Sequence, residues 1–425
     1  VLPQKAVIAR QPFLIDAHLL KLRMGKCNFL EKKEIIKSIL TLSLNCILIF
    51  PFLSCSGNKE SSLSNMDVSD TTSLKVHLNY SLIGELDSTE NGILKLLESY
   101  LNSRDTVLYY DSPLWSSQDK AGHLYPDIEL HYICYRTKKF TKYQPSILSI
   151  QKIDTSYVIK ILFSNFKKHP DVLSVYNIVA SKEFGEYVFH TYSDFFKKKW
   201  IERKKSTVRY YFDDSHAFDE QLAKKFDEFN VNVAKKFDME PLNLRYFVFE
   251  NTELRYRFKG YDFDVRMFET IQQSAEVDLY NNIIYASNGT EYYPHEAVHF
   301  YTFKKFGGSL SRFFDEGLAT LLGGNINATF KEDVLMMKEF VSTHPNFDFS
   351  NLTDIRENFG KTNFEYTVAA ILCNAILVKG GSSALDRALN CGNKPESIYA
   401  VLKSELNLDR QNVNSFILNQ LDASN

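Results

Sequence analysis

Cysteine is scarce, six in 425 residues, and none has the spacing of zinc-finger ligands, so the sequence signals no zinc finger. An excess of one charge is also missing. Fifty Lys and Arg against 52 Asp and Glu leave a formal net charge of −2, without the basic surplus that a nucleic-acid partner calls for. The one basic cluster, Lys197-Lys198-Lys199 to Lys204-Lys205, is local and reads as the solvated face of a connecting helix. There is no internal repeat. The most apolar N-terminal run, Ile39 to Leu53, is 15 residues long and too short for a membrane span. What is present, 44% hydrophobic residues over this length, is enough for two globular domains.

The string that carries chemistry is His295-Glu296-Ala297-Val298-His299, followed by Phe313-Phe314-Asp315-Glu316-Gly317-Leu318-Ala319-Thr320. Residues four apart on a helix lie on one face. Two imidazoles so placed can hold one Zn²⁺, with Glu296 beside the open metal position. Asn288-Gly289 signals a turn, Thr290 is a candidate cap, and Pro294 suits a first helical turn. The helix is expected to run to Lys305 or Phe306 and stop at Gly307-Gly308. A second helix opens near Ser309 or Ser311 and stops at Gly323-Gly324. A tight connection folds it back, making Glu316 the third ligand and leaving the fourth position to water, as in catalytic rather than structural zinc sites. By chance alone an H-E-x-x-H string arises in roughly one chain of this composition in a hundred. Glu316 and the bracketing start and stop signals are what raise it above an ordinary half-buried His pair.

These residues make 275–390 resemble the gluzincin branch of the zincin metallopeptidases, with a D-E-G-L-A run similar to that of bacterial peptidase-MA-like domains. The resemblance implies an α+β fold with a small, mostly antiparallel sheet plus helices. It implies His295, His299 and Glu316 as zinc ligands, and Glu296 as the general base that moves a proton from water to the leaving amine. Asn282-Ile283-Ile284-Tyr285-Ala286-Ser287 is similar to the family's edge strand, where a peptide substrate pairs antiparallel. A Tyr or His usually steadies the oxyanion. Tyr366 is the candidate, though in a chain with 24 Tyr it reads equally well as a packed core residue. His344 is the weaker choice. Asp315 and Thr320 are candidates to orient the ligands from behind.

Residues 1–23 read as an upstream extension. From Met24 come Lys26, Lys32, Lys33 and Lys37, then the apolar run and Ser54-Cys55, the plan of a signal peptide over 24–54. Phe52-Leu53-Ser54-Cys55 resembles a bacterial lipobox, with Phe52 where Leu is preferred. The resemblance implies a lipoprotein acylated on Cys55 and facing the periplasm or the cell exterior. Plain secretion and an uncleaved anchor remain open. Residues 55–73 are Ser/Asn/Asp-rich and read as a flexible tether. Of the remaining cysteines, Cys373 and Cys391 either pair or stand as isolated thiols, and Cys134 is left over.

Residues 74–195 read as a separate α+β domain. A helix capped by Ser88 or Asn91 carries Ile93, Leu94, Leu97, Tyr100 and Leu101 at helical spacing. Strands are expected over 106–110, 129–136, 156–164, 175–180 and 186–192. One helix on a curved sheet resembles a nuclear-transport-factor-like or cystatin-like cone. The peptidase-like domain spans 196–425. Val208 to Phe212 is a strand, a helix capped by Asp213, Asp214 or Ser215 carries Phe218, Leu222, Phe226 and Val233, and Leu244 to Glu250 is a second strand. Two functions follow. One is zinc-dependent hydrolysis of a peptide or protein at a membrane, within chains rather than at their ends since no amine-binding motif is seen. The other is a surface ligand-binding lipoprotein with an inactive zincin-like half.

Overall fold

The computed structural model describes residues 76–102, 112–121, 143–165, 171–196, 200–268, 275–325, 328–355, 358–359 and 362–423. Cys55, Cys134 and the expected strands at 106–110 and 129–136 lie outside them. The described chain is mixed α and β, with two mixed sheets and a helical C-terminal part.

The first sheet runs β1 (His77–Leu78), β2 (Gln144–Ile153), β3 (Ser156–Asn165), β4 (Asp171–Glu183) and β5 (Glu186–His190). Its pairs are antiparallel except β1 with β2. One helix, α1 (Ser88–Asn102), packs Ile93, Leu97, Tyr100 and Leu101 against Ile147, Ile159, Ile161 and Ile178. Neither Ser88 nor Asn91 caps it. Asp87 accepts from Glu90 N at 2.8 Å and Glu90 returns the bond to Asp87 N at 3.0 Å, a reciprocal cap that satisfies two orphan donors. Short helices α2 (Ser117–Ala121) and α3 (Tyr192–Phe196) flank β5.

The second sheet is built from β6 (Ile201–Lys204), β7 (Val208–Phe212), β8 (Leu244–Val248), β10 (Ala275–Asp278) and β11 (Ile283–Ala286), in the order β10-β11-β8-β7-β6. Here the structure corrects the sequence on three points. The sheet is not mostly antiparallel, because β7, β8 and β11 run parallel and only the outer pairs are antiparallel. β11 is not an edge strand, because β10 covers it and takes the edge on that side. Of the basic cluster, Lys197 to Lys199 lie outside the described residues, while Lys204 ends strand β6, on an exposed stretch, where a helix was expected.

Helix α4 (Glu220–Lys236) starts at Asp219, which accepts from Gln221 N and Leu222 N, several residues beyond the expected cap. After α5 (Thr252–Phe258), strand β9 (Tyr261–Asp264) leaves the second sheet altogether and pairs with Ser174 to Tyr176 of β4 in the first. The C-terminal half holds α6 (Pro294–Phe306), α7 (Arg312–Gly323), α8 (Phe330–Thr343), the two-residue strands β12 (Asn358–Phe359) and β13 (Thr362–Asn363), α9 (Phe364–Leu389), α10 (Pro395–Leu406) and α11 (Val413–Ala423). Helix α9 is apolar and long enough to cross a membrane by composition, but half of its apolar window is buried, and Val368, Leu372, Cys373 and Ile376 lie in the helical core. Gly381, at φ 68°, breaks it where the Gly380-Gly381 pair leads one to expect. Cys373 and Cys391 are both free thiols.

Candidate metal centre

Helix α6 lies between two cores. Ala297 and Phe300 face the second sheet with Tyr210, Tyr246 and Ile284, while Val298 and Tyr301 face the helical core. That leaves one stripe, His295 and His299, for α7. Pro294 occupies the first turn, where a missing N–H costs nothing. The N-cap is Tyr293, without a side-chain bond. Thr290 instead accepts from Tyr292 N at 3.2 Å within the preceding turn.

Helix α7 comes back against α6 and α9 at very short range, and its glycines make that approach feasible. A Cβ on Gly317 would sit 2.5 Å from the Ala369 carbonyl carbon, and one on Gly323 would sit 2.5 Å from His295 N. The pair Gly323-Gly324 therefore does more than stop a helix: it admits the first turn of α6.

The result is a convergence of three donor atoms. His295 Nε2 is 3.2 Å from Glu316 Oε2, His299 Nε2 is 3.7 Å from the same oxygen, and all three ligand atoms lie within 4.8 Å of one another. For a tetrahedral ion with bonds of about 2.0–2.1 Å the ligand–ligand edge is about 3.3 Å, so the cluster fits such an ion with little adjustment. The far ring nitrogens are both committed. His295 Nδ1 donates to the Gly324 carbonyl at 2.8 Å, and His299 Nδ1 donates to Asp315 Oδ2 at 2.8 Å. A carbonyl can only accept, so Nδ1 of His295 carries a proton, and Nε2 is the nitrogen left to face Glu316 or a metal. Asp315 is itself held by Thr302 Oγ1 at 2.6 Å.

Charge in the metal-free cluster is strongly redistributed. Burial disfavours the His299 imidazolium, yet the charge and hydrogen bond of Asp315, with Glu316 and Glu296 behind it, lift its pKa to about 10. Burial works against ionising Glu316, but the His295 hydrogen bond and the His299 and His295 charges bring it down to about 2. Glu296 moves the other way. Burial pushes its carboxyl up, only partly offset by the two imidazoles, which favours proton acceptance and release nearer neutrality.

The remaining candidates divide. Tyr366, in the first turn of α9, is close enough to Arg312 and Glu316 to feel their charges, and its ring stacks on His295 with centroids 6.1 Å apart. Burial, then the Glu316 charge, raise its pKa. His344 is not brought to the cluster: it ends α8, stacks on Phe340 at 4.1 Å and bonds Thr343 and the Phe340 carbonyl. Thr320 orients no ligand. Its hydroxyl is buried and has no hydrogen-bond partner, and the Gly324 carbonyl takes the role expected of it. Sequence reasoning missed Arg312, whose Nε is 3.9 Å from Glu316 Oε1. The only signal for it was the i,i+4 spacing.

No protein-family model matches the sequence, and no curated protein matches it. Among solved structures the chain is similar to an M1 zinc metallopeptidase of Deinococcus radiodurans, a mutant form bound to a Tyr-Ser-Ala substrate. The identity is 9%, with 65% of this chain and 60% of that chain covered, at a TM-score of 0.27. It is also similar to a two-domain M1 zinc metallopeptidase mutant bound to L-tryptophan, at 8% identity over 65% of this chain and 64% of that one, again with a TM-score of 0.27. The chain thus spans less than two thirds of either neighbour, and superpositions this loose assign neither family nor activity.

Proposed function

We propose that this chain is a zinc-dependent peptidase of zincin type. The observation that carries the reading is the meeting of His295, His299 and Glu316 from two successive helices, each imidazole fixed in orientation by an acceptor behind it. When bound there, Zn²⁺ supplies Lewis acidity toward a carbonyl and toward water. Glu296, next in sequence to His295 and outside the ligand set, takes the proton of the attacking water and returns it to the departing amine. The Tyr366 hydroxyl, beside Glu316 and Arg312, donates to the carbonyl oxygen as negative charge develops on it. A site made only to bind a metal has no use for a carboxylate in the position of Glu296.

Metal analysis and hydrolysis of a quenched peptide library by the full chain test this. About one zinc per chain is expected, with Glu296→Gln retaining the metal and losing activity by about 10²-fold or more. A zinc-loaded wild type that cuts no peptide or protein sinks the enzyme reading and leaves the ligand-binding alternative.

The cellular setting belongs to the same proposal. Acylation of Cys55, with 55–73 as a tether, holds the enzyme to a bacterial membrane. Incorporation of labelled fatty acid into the wild type but not into Cys55→Ala is the expected result; equal labelling of both counts against the anchor.

A further inference from the structure

Behind the ligand cluster sits a carboxylate that touches none of its members. Asp333, on α8, is completely buried. Burying a carboxylate is costly unless its oxygens are bonded, and each of these has one partner. Oδ2 accepts from Asn325 Nδ2 at 2.9 Å and Oδ1 accepts from Thr362 Oγ1 at 2.9 Å. The two partners lie on different segments, and each leads to a different part of the centre.

Asn325 directly follows Gly324, and its backbone N–H closes a turn on the Ala328 carbonyl at 2.9 Å. With its side chain held by Asp333 and its backbone by Ala328, this residue fixes the preceding peptide, whose carbonyl accepts from His295 Nδ1. Thr362 directly precedes Asn363, the N-cap of α9, which accepts from Tyr366 N at 3.3 Å. Tyr366 then stacks on His295. One carboxylate on a third helix thereby anchors both the acceptor that aims a metal ligand and the helix start that presents the tyrosine.

We propose that Asp333 is a positioning residue of the metal centre, fixing His295 through Asn325 and Gly324 and fixing Tyr366 through Thr362 and Asn363. This rests on the zinc-peptidase reading and deepens it. A purely structural residue at this place would need only to fill space, as its apolar neighbours Val334 and Met337 do. Asp333 uses both oxygens, and both on segments that end at the site.

The two roles separate by experiment. Asp333→Ala removes both bonds. Asp333→Asn keeps both, because the amide oxygen can accept from Asn325 while its NH₂ donates to the Thr362 hydroxyl. The probe is Co²⁺ in place of Zn²⁺ in the full chain, read by the visible d–d spectrum, together with zinc affinity by competition with a chromophoric chelator. Asp333→Ala is expected to lower zinc affinity by about 10-fold or more and to alter the cobalt spectrum, with Asp333→Asn close to wild type. Met337→Ala, a cavity in the same helix, lowers stability without altering the spectrum. Should Asp333→Ala not fold, the two arms are tested singly: Asn325→Ala weakens metal binding, whereas Thr362→Val lowers kcat with metal affinity unchanged. A folded Asp333→Ala with wild-type affinity and spectrum overturns the proposal and leaves the peptidase reading standing. Equal spectral changes in Met337→Ala reduce Asp333 to a packing role and overturn it as well. A wild type that binds neither cobalt nor zinc removes the metal centre itself, and this inference with it.

Discussion

Loading the centre should expel a proton, and the proton should come from His299. In the metal-free protein its imidazole is held protonated up to about pH 10 by Asp315 and the two glutamates, against the effect of burial. A metal ligand must be neutral imidazole. At pH 7.5 the metal therefore competes with a proton across a gap of about 2.5 units, or about 3.4 kcal/mol, a penalty of about 300-fold in apparent affinity. Glu316, brought down to about 2, adds nothing to this competition near neutrality. Apparent zinc affinity is thus expected to rise by about tenfold per pH unit between about pH 7 and 9. Chelator competition at several pH values measures the slope, and calorimetry in two buffers of different ionisation heat counts the protons released. Asp315→Asn removes the charge that holds the proton, so its slope should flatten over the same range. A wild-type affinity independent of pH, or an Asp315→Asn slope equal to that of wild type, refutes the electrostatic account.

The same shift bears on stability. A group whose pKa rises on folding contributes fully below its unfolded value and loses that contribution as pH climbs through the folded one. The metal-free protein should therefore lose stability between about pH 6.5 and 10 while the zinc-loaded form does not, as thermal melts across that range would reveal. Gly317→Ala drives a methyl into the Ala369 backbone and should cost about 1–3 kcal/mol, read as a lower urea midpoint; an unchanged midpoint contradicts the close packing of α7 on α9. Tyr366→Phe should lower kcat with zinc content unchanged; unaltered kcat assigns Tyr366 to packing alone.

The helices that build the centre were legible because local chemistry marks their ends. Pro294, Gly307, Ser311 and the Gly323-Gly324 pair each stand where an end does. Elsewhere, side chains that signal a cap were engaged in other local bonds. Asp213 accepts from both Ser215 N and Ser215 Oγ, closing a turn instead of starting α4, and so the helix begins at Asp219. Strand direction was not legible at all. The apolar run Ile283 to Ala286 looks the same at an edge as inside a sheet, and only β10 folding over it decides. The contribution of Gly324 is a backbone carbonyl, which no residue type announces. Asp333 was unreadable for a related reason, since its partners at Asn325 and Thr362 meet it only after three segments have packed.

Strand β9 has a consequence for how the chain is made. Five strands of the first sheet are complete in sequence at His190, yet the stretch of β4 from Ser174 to Tyr176, already paired with β3 on one side, acquires its second neighbour only when Tyr261 to Asp264 has left the ribosome. Until then β7 and β8 are already free to form while one edge of that stretch stands open, the kind of seam that recruits foreign strands. Polypeptides ended between β5 and β9 inherit that seam permanently. Expression of such fragments should yield sticky, chaperone-dependent material, whereas chains extended through Asp264 close the gap from within.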